Sequence, residues 1–118
     1  MNSYTYIKPE MIKTNMLGDE QMIKTFIGMY LTHCQTDFSN LSQAIDQKDL
    51  AAIASKAHHI KPTMAYIGAN DLHVQFHELE SSARTGVKLA VIMPIFQTLK
   101  INFHAMMQEL DHFYNTLA

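Results

Sequence analysis

Four long segments of the chain repeat apolar residues at steps of three and four, which is the spacing of an amphipathic α-helix. The first of these stripes runs in such steps from Ile23 to Ile45. No segment alternates apolar and polar residues over enough positions to indicate a strand. The sequence therefore predicts an all-α fold.

Capping residues and glycines divide the chain into these helices. Asp19 can cap the first long helix, predicted over residues 19–46, and Asp49 can cap the second. We expect Asn70 to cap the third helix and Gly86 to end it in a left-handed conformation. The last segment has the most regular stripe, which consists of Ile92, Phe96, Leu99, Phe103, Met106, Leu110, Phe113 and Leu117.

Two prolines lie near the predicted starts of helices. Pro94 is expected in the first turn of the last helix, where a missing N–H is tolerated, and a short extra helix is predicted around Pro9 to Thr14. Four amphipathic helices with short connections favour an antiparallel up-down four-helix bundle. A chain of 118 residues with 47% hydrophobic content can fill one such core. We expect a single domain over residues 1–118, with its core in 17–115.

Composition and charge exclude several classes of partner. The chain has 9 basic and 11 acidic residues and no basic block, so we expect neither a nucleic-acid partner nor binding to an anionic membrane surface. No signal peptide is recognisable and no stretch approaches 18 uncharged apolar residues, so membrane insertion is not expected. Cys34 lies in an apolar helical pattern and is predicted to be a buried thiol in a reducing compartment. We therefore expect a cytoplasmic protein, and a monomer because a filled bundle leaves no apolar face over.

The stretch AHHIKP, residues 57–62, carries the most informative motif. At about 100° per residue, the core stripe of the second helix centres between Ala57 and Ile60. His58 then lies about 140° from the stripe and should face water, whereas His59 lies about 120° away on the other flank, toward a neighbouring helix. Of the two adjacent histidines, His58 is expected to be accessible to a large partner.

The residues that share the face of His58 are short or ring-closed, and Lys61 follows at its flank. This face, the small-residue platform, consists of Ala54, Ser55, Pro62 and Ala65. Pro62 lacks the N–H that would bond the carbonyl of His58, so a bend costing on the order of 3 kcal/mol in an isolated helix is expected. One interpretation is a kinked helix with a solvated carbonyl. The other is a docking face for a second protein, where the imidazole accepts a phosphoryl group and Lys61 stabilises the added charge.

The pattern over about residues 17–113 resembles the histidine-containing phosphotransfer (HPt) domains of bacterial multistep phosphorelays. The family's Ala-His-x-(Leu/Ile)-Lys-Gly motif corresponds here to residues 57–62, with Gly68 and Leu72 at the expected distances. The sequence LESSARTG resembles the family's Leu-Glu-x-x-Ala-Arg stretch. The phospho-accepting position falls on His58, and His59 takes the variable position. Pro62 departs from the commoner glycine, although proline also lacks a long side chain that would keep a partner away.

The resemblance implies a phosphocarrier without kinase activity of its own. His58 would accept a phosphoryl group from a receiver-domain aspartate and pass it to another, with Nε2 as the nucleophilic atom and Lys61 stabilising the phosphoryl charge. The implied partners are response-regulator receiver domains and a hybrid sensor histidine kinase. The receiver would supply Mg²⁺, and this chain would need no cofactor. Glu80 is a candidate to orient His58 or to pair with Lys61.

Two alternatives remain open from the residues alone. His73, His77 and Glu80 share one flank of the third helix at i, i+4 and i+7, so they could offer two imidazoles and a carboxylate to a metal ion. The chain could also be an adaptor that docks on a receiver or kinase without being phosphorylated. An adaptor, however, needs neither His58 nor Lys61.

Overall fold

The computed structural model describes residues 4–117, and it forms five α-helices there. The helices are α1 (Pro9–Asn15), α2 (Glu20–Asp46), α3 (Leu50–Tyr66), α4 (Asn70–Arg84) and α5 (Leu89–Thr116). Residues 4–117 contain no strand, which confirms the all-α prediction. The short helix predicted near the N-terminus is α1.

The four long helices enclose one hydrophobic core. Helix α3 packs against α2 and α4, and α5 packs against the same two helices, so each long helix has two neighbours. The short α1 lies against α2 and α3. This arrangement fits a four-helix bundle, in which each amphipathic helix buries its apolar stripe against the others.

Side-chain caps start two of the long helices as predicted, but not the third. Asp19 accepts the N–H of Met22 at 3.0 Å, and Asp49 accepts the N–H of Ala52 at 3.1 Å. The prediction for Asn70 is wrong, because α4 already begins at that residue and no side chain caps it.

The turn between α3 and α4 explains why the cap position is not Asn70. Gly68 has a φ of 75°, and the next N–H, that of Ala69, bonds the carbonyl of Met64 at 2.9 Å. This bond closes α3 and leaves Ala69 as the only residue between the turn and α4, so Asn70 is already helical. Gly86 adopts a left-handed φ of 73° after α4, as predicted.

Pro94 also differs from its predicted position. Because α5 begins at Leu89, Pro94 is the sixth residue of the helix and lies in its second turn rather than its first. A proline there gives no N–H to the carbonyl of Ala90. Both residues are exposed, so water can bond that carbonyl.

Aromatic rings from three helices fill the centre of the core. Phe38 of α2 stacks on Phe103 of α5 with ring centroids 4.2 Å apart, and Phe76 of α4 meets Phe38 edge-on at 6.4 Å. Cys34 is buried on α2, as predicted, and burial together with the nearby Asp37 raises the pKa of its thiol to about 12.

An N-terminal segment, residues 4–8, lies against one end of the bundle, where one carboxylate accepts three of its backbone N–H groups. The backbone N–H groups of residues 5–7 all donate to Glu109 of α5, at 2.8 to 3.2 Å. The next N–H, that of Lys8, bonds the carbonyl of Ile67 at 3.0 Å. A Cβ on Gly68 would lie 2.7 Å from Cβ of Lys8, so only glycine fits beside this segment.

Among the described residues, α5 is long and apolar enough to cross a membrane by length and composition alone. Its apolar residues, however, repeat at steps of three and four, and eight of them are buried in the core. Its outward face includes Gln97, Lys100 and His104. This is the amphipathic pattern of a core helix in a helical protein, which meets the same criterion.

Candidate functional site

His58 occupies an exposed position in the middle of α3. Its side chain is 63% exposed, whereas the adjacent Ala57 and the nearby Ile60 are buried. The helical spacing predicted this orientation. The imidazole is therefore open to solvent and to a second protein.

Glu80 of α4 contacts the inner side of this imidazole. Nδ1 of His58 lies 3.1 Å from Oε2 of Glu80. An ionised carboxylate can only accept hydrogen bonds, so Nδ1 carries a proton and donates it. In the neutral ring, Nε2 then carries the lone pair. This tautomer places the lone pair on the ring nitrogen that does not contact Glu80, in a side chain that is mostly exposed.

Two cationic side chains also converge on Glu80, whose side chain is 8% exposed. The ammonium of Lys61 lies 2.7 Å from Oε1. Arg84 donates through Nε at 2.9 Å and places Nη2 2.8 Å from the same Oε2 that His58 bonds. Oε1 is buried and has no further hydrogen-bond partner among the described residues. The ammonium of Lys61 is therefore the group that compensates the charge on Oε1.

These partners determine the ionisation of Glu80. Burial by itself would raise the pKa of Glu80, but hydrogen bonds from Lys61 and Arg84, attraction to Lys61, and attraction to His58 when its ring is protonated outweigh it. The net effect lowers the pKa from 4.5 to about 2. The carboxylate is therefore charged throughout the physiological pH range, as the hydrogen bond from His58 requires.

The spacing within each helix accounts for the Glu80 cluster, which consists of His58, Lys61, Glu80 and Arg84. His58 and Lys61 are three residues apart on α3, and Glu80 and Arg84 are four apart on α4, so each pair shares one helix face. Since α3 and α4 pack against each other, the two faces meet. The cluster is thus assembled by two helices that are joined by a short turn.

His59 lies on the opposite flank of α3 and takes no part in this cluster. Its Nε2 is 3.5 Å from Oδ2 of Asp37 on α2, and its side chain is 70% exposed. The predicted direction toward a neighbouring helix is therefore observed. Nε2 of His59 therefore faces a carboxylate of its own chain, whereas it is Nδ1 of His58 that does so.

The small-residue platform is exposed at three of its four predicted positions. Ser55, Pro62 and Ala65 are exposed around His58. Ala54 is only 4% exposed, so its placement on the open face was wrong. Ala54 lies seven residues before Lys61, on the flank of α3 that turns toward α4, and close helix packing buries it there.

Pro62 does not interrupt the helix that carries His58. Helix α3 continues from Leu50 through Pro62 to Tyr66. The carbonyl of His58 receives no N–H from Pro62, because proline has none. The proline ring thus occupies an exposed position one turn beyond His58 without a long side chain that would obstruct an approaching protein.

The alternative of a metal site on α4 is not supported by the geometry. No group of three or more His, Cys, Asp or Glu side chains in residues 4–117 could hold a metal ion. Glu80 faces His58, Lys61 and Arg84 instead. Nδ1 of His77 lies 3.1 Å from the ammonium of Lys61. Of the three proposed ligands, two are therefore bonded to residues of the phosphotransfer-like motif.

Two residues at this site, Arg84 of the Glu80 cluster and His77 beside Lys61, were not predicted as phosphotransfer-site residues from the sequence. Arg84 was noted only as part of the LESSAR stretch, although its spacing of four from Glu80 is the signal for an ion pair on one helix face. His77 was considered only as a metal ligand. Its contact with Lys61 depends on the packing of α3 on α4, so periodicity alone could not reveal it.

Comparison with known protein families gives one match. The family described as Hpt domain matches residues 25–113, which includes His58 and the whole of the Glu80 cluster. Comparison with curated proteins and comparison with solved structures gave no significant match.

Proposed function

The chain belongs to the Hpt domain family, whose members act in histidine phosphotransfer within phosphorelays, and from this premise we propose that His58 is its phospho-accepting residue. The observation that carries the proposal is the hydrogen bond from Nδ1 of His58 to Glu80. It fixes the tautomer of the neutral ring, in which Nε2 carries the lone pair that a nucleophile needs. His59 offers no comparable arrangement.

The proposed reaction is an exchange of one bond to phosphorus for another. The lone pair of Nε2 attacks the phosphorus of a receiver's aspartyl phosphate, so a P–N bond forms as the P–O bond breaks. The receiver's aspartate leaves as a carboxylate with the electron pair of the P–O bond. The imidazole of His58 gains positive charge, which the adjacent Glu80 carboxylate stabilises. Transfer to a second receiver is the same exchange in reverse.

Lys61 and Arg84 supply the positive charge of the site. Once a phosphoryl group is attached to Nε2, it adds up to two negative charges next to the Glu80 carboxylate. Lys61, three residues from His58, is the cation that we assign to stabilise that group. Arg84 remains on Oε2 of Glu80 and keeps the carboxylate ionised and oriented.

Partners follow from this chemistry. Hpt domains interact with receiver domains and histidine kinases of two-component systems, and we propose that a hybrid sensor kinase and receiver domains serve this chain. The exposed residues Ser55, Pro62 and Ala65 would contact the receiver, which would supply Mg²⁺ and the reacting aspartate. The chain would act as a phosphocarrier without its own kinase activity.

The proposal also covers the helix arrangement, the oligomeric state and the location of the chain. We infer that α2 to α5 form an antiparallel up-down four-helix bundle in a single domain, since each packs against two others around one core. We also propose a cytoplasmic monomer, because the partners of Hpt domains act in the cytoplasm and the core is enclosed by the chain's own helices.

Phosphoryl transfer from a labelled receiver domain tests the assignment. Wild type, His58→Gln and His59→Gln would be compared, with an acid-lability test on the product. We expect acid-labile label on wild type and His59→Gln but none on His58→Gln. Label retained by His58→Gln would refute the assignment, and binding of the receiver without any labelling would indicate an adaptor.

A further inference from the structure

Lys61 is held by two partners in the unphosphorylated chain. Its Nζ lies 2.7 Å from Oε1 of Glu80 and 3.1 Å from Nδ1 of His77. The side chain of Lys61 is only 16% exposed, whereas His77 is exposed. Both partners belong to α4, so the ammonium is drawn toward that helix.

The donors and acceptors available at this contact determine which nitrogen of His77 carries a proton. A lysine ammonium has donors only, so Nδ1 of His77 must accept with its lone pair, and the neutral ring carries its proton on Nε2. Protonation of the ring places a second proton on Nδ1. The hydrogen bond is then lost and two cations face each other. The contact therefore persists only while the imidazole is neutral.

The charged groups around His77 offer the protonated ring no alternative partner. On α3 it faces Lys61, itself a cation. On α4, Glu80 already receives His58, Lys61 and Arg84, and His73 one turn earlier is another imidazole. No hydrogen bond or ion pair within residues 4–117 joins His77 to α5. A protonated His77 therefore faces the Lys61 ammonium, and the negative charge beside them is the Glu80 carboxylate, which Lys61 already contacts.

We propose that His77 is a proton-dependent positioning residue for Lys61, and this inference rests on the proposed function of His58. Neutral His77 holds the ammonium against α4. Protonated His77 no longer accepts from the ammonium, which keeps its contact with Glu80 and can turn a donor toward a phosphoryl group on Nε2 of His58. The phosphoryl group competes with Glu80 for Lys61 in both states and with His77 only when the imidazole is neutral, so acceptance of the phosphoryl group is easier when His77 is protonated.

The pH profile of transfer from a phosphorylated receiver domain tests this role. Wild type would be compared with His77→Asn, which keeps an acceptor near the position of Nδ1 but does not titrate. The matched control is His73→Asn, the same change one turn earlier on α4. At each pH the rate for wild type is divided by the rate for the variant, so the receiver's own pH dependence cancels.

We expect the ratio of wild type to His77→Asn to be close to one at about pH 8 and to reach about threefold at about pH 6. The ratio for His73→Asn should stay constant. A constant ratio for His77→Asn, or an equal change for His73→Asn, overturns the inference while leaving the phosphotransfer function intact. Absence of transfer to wild type at every pH overturns the proposed function and the inference together.

A second measurement tests the contact without any partner protein. The ¹⁵N resonance of Nδ1 in His77 would be recorded at about pH 8 in wild type and in Lys61→Met, which keeps a side chain of similar length. We expect the resonance to move toward that of an acceptor nitrogen without a hydrogen bond, and the His73 resonance to remain unchanged. An unmoved His77 resonance in folded protein refutes the inference.

Discussion

Replacing Glu80 by glutamine removes the negative charge on which His58, Lys61 and Arg84 converge, while keeping nearly the same side-chain volume. A carboxyl pKa lowered from 4.5 to about 2 corresponds to a net stabilisation on the order of 3 kcal/mol, which remains after the opposing effect of burial. Glutamine still accepts one hydrogen bond, but Lys61 is left mostly buried without its counter-ion. We therefore expect Glu80→Gln to lose between about 1 and 3 kcal/mol of unfolding free energy at neutral pH.

The pH dependence of this loss follows from the sign of the shift. The folded-state pKa of Glu80 lies below its unfolded value, so the stabilisation is complete above about pH 4.5 and declines as the pH falls through about 2. The difference between wild type and Glu80→Gln should accordingly be largest at neutral pH. It should shrink steadily as the pH falls below about 4.5.

Urea unfolding followed by circular dichroism, at several pH values, measures this difference. Glu78→Gln is the matched control, because it makes the same chemical change two residues earlier on α4 at an exposed position. We expect Glu78→Gln to change the unfolding free energy by less than about 0.5 kcal/mol. Equal losses for the two variants at neutral pH, or a loss for Glu80→Gln that does not shrink in acid, would refute the account of Glu80.

Three further predictions concern stability and transfer. In thermal unfolding, Gly68→Ala should destabilise the protein by about 2 kcal/mol more than Gly18→Ala. Both glycines have a positive φ, but only Gly68 has a neighbouring side chain where the added Cβ would lie. Equal destabilisation by the two variants would contradict this packing. Glu109→Gln should speed the hydrogen exchange of the amides in residues 5–7, which all bond that carboxylate, and unchanged exchange would show that the N-terminal segment is held otherwise. Lys61→Met should slow phosphoryl transfer about tenfold or more while receiver binding persists, and transfer at the wild-type rate would remove Lys61 from the mechanism.

The sequence predicted the helices well because their signals are local. Apolar stripes at steps of three and four determine which side of each helix is buried, and caps such as Asp19 and Asp49 act within one turn. Where a start depends on the neighbouring turn, local signals were insufficient. Asn70 and Pro94 illustrate this limit, since the first depends on how α3 ends and the second on where α5 begins.

For the site, the sequence determined by itself that His58 faces solvent and that Lys61 lies on a neighbouring flank, since both follow from the pitch of one helix. The tertiary structure alone decided which residues meet across α3 and α4. The hydrogen bond of His58 to Glu80 spans 22 residues, and the same packing brings His77 to Lys61 and buries Ala54. Helix periodicity assigns a direction to each side chain, but the register between two helices depends on how their side chains interlock, and no pattern within either helix specifies it.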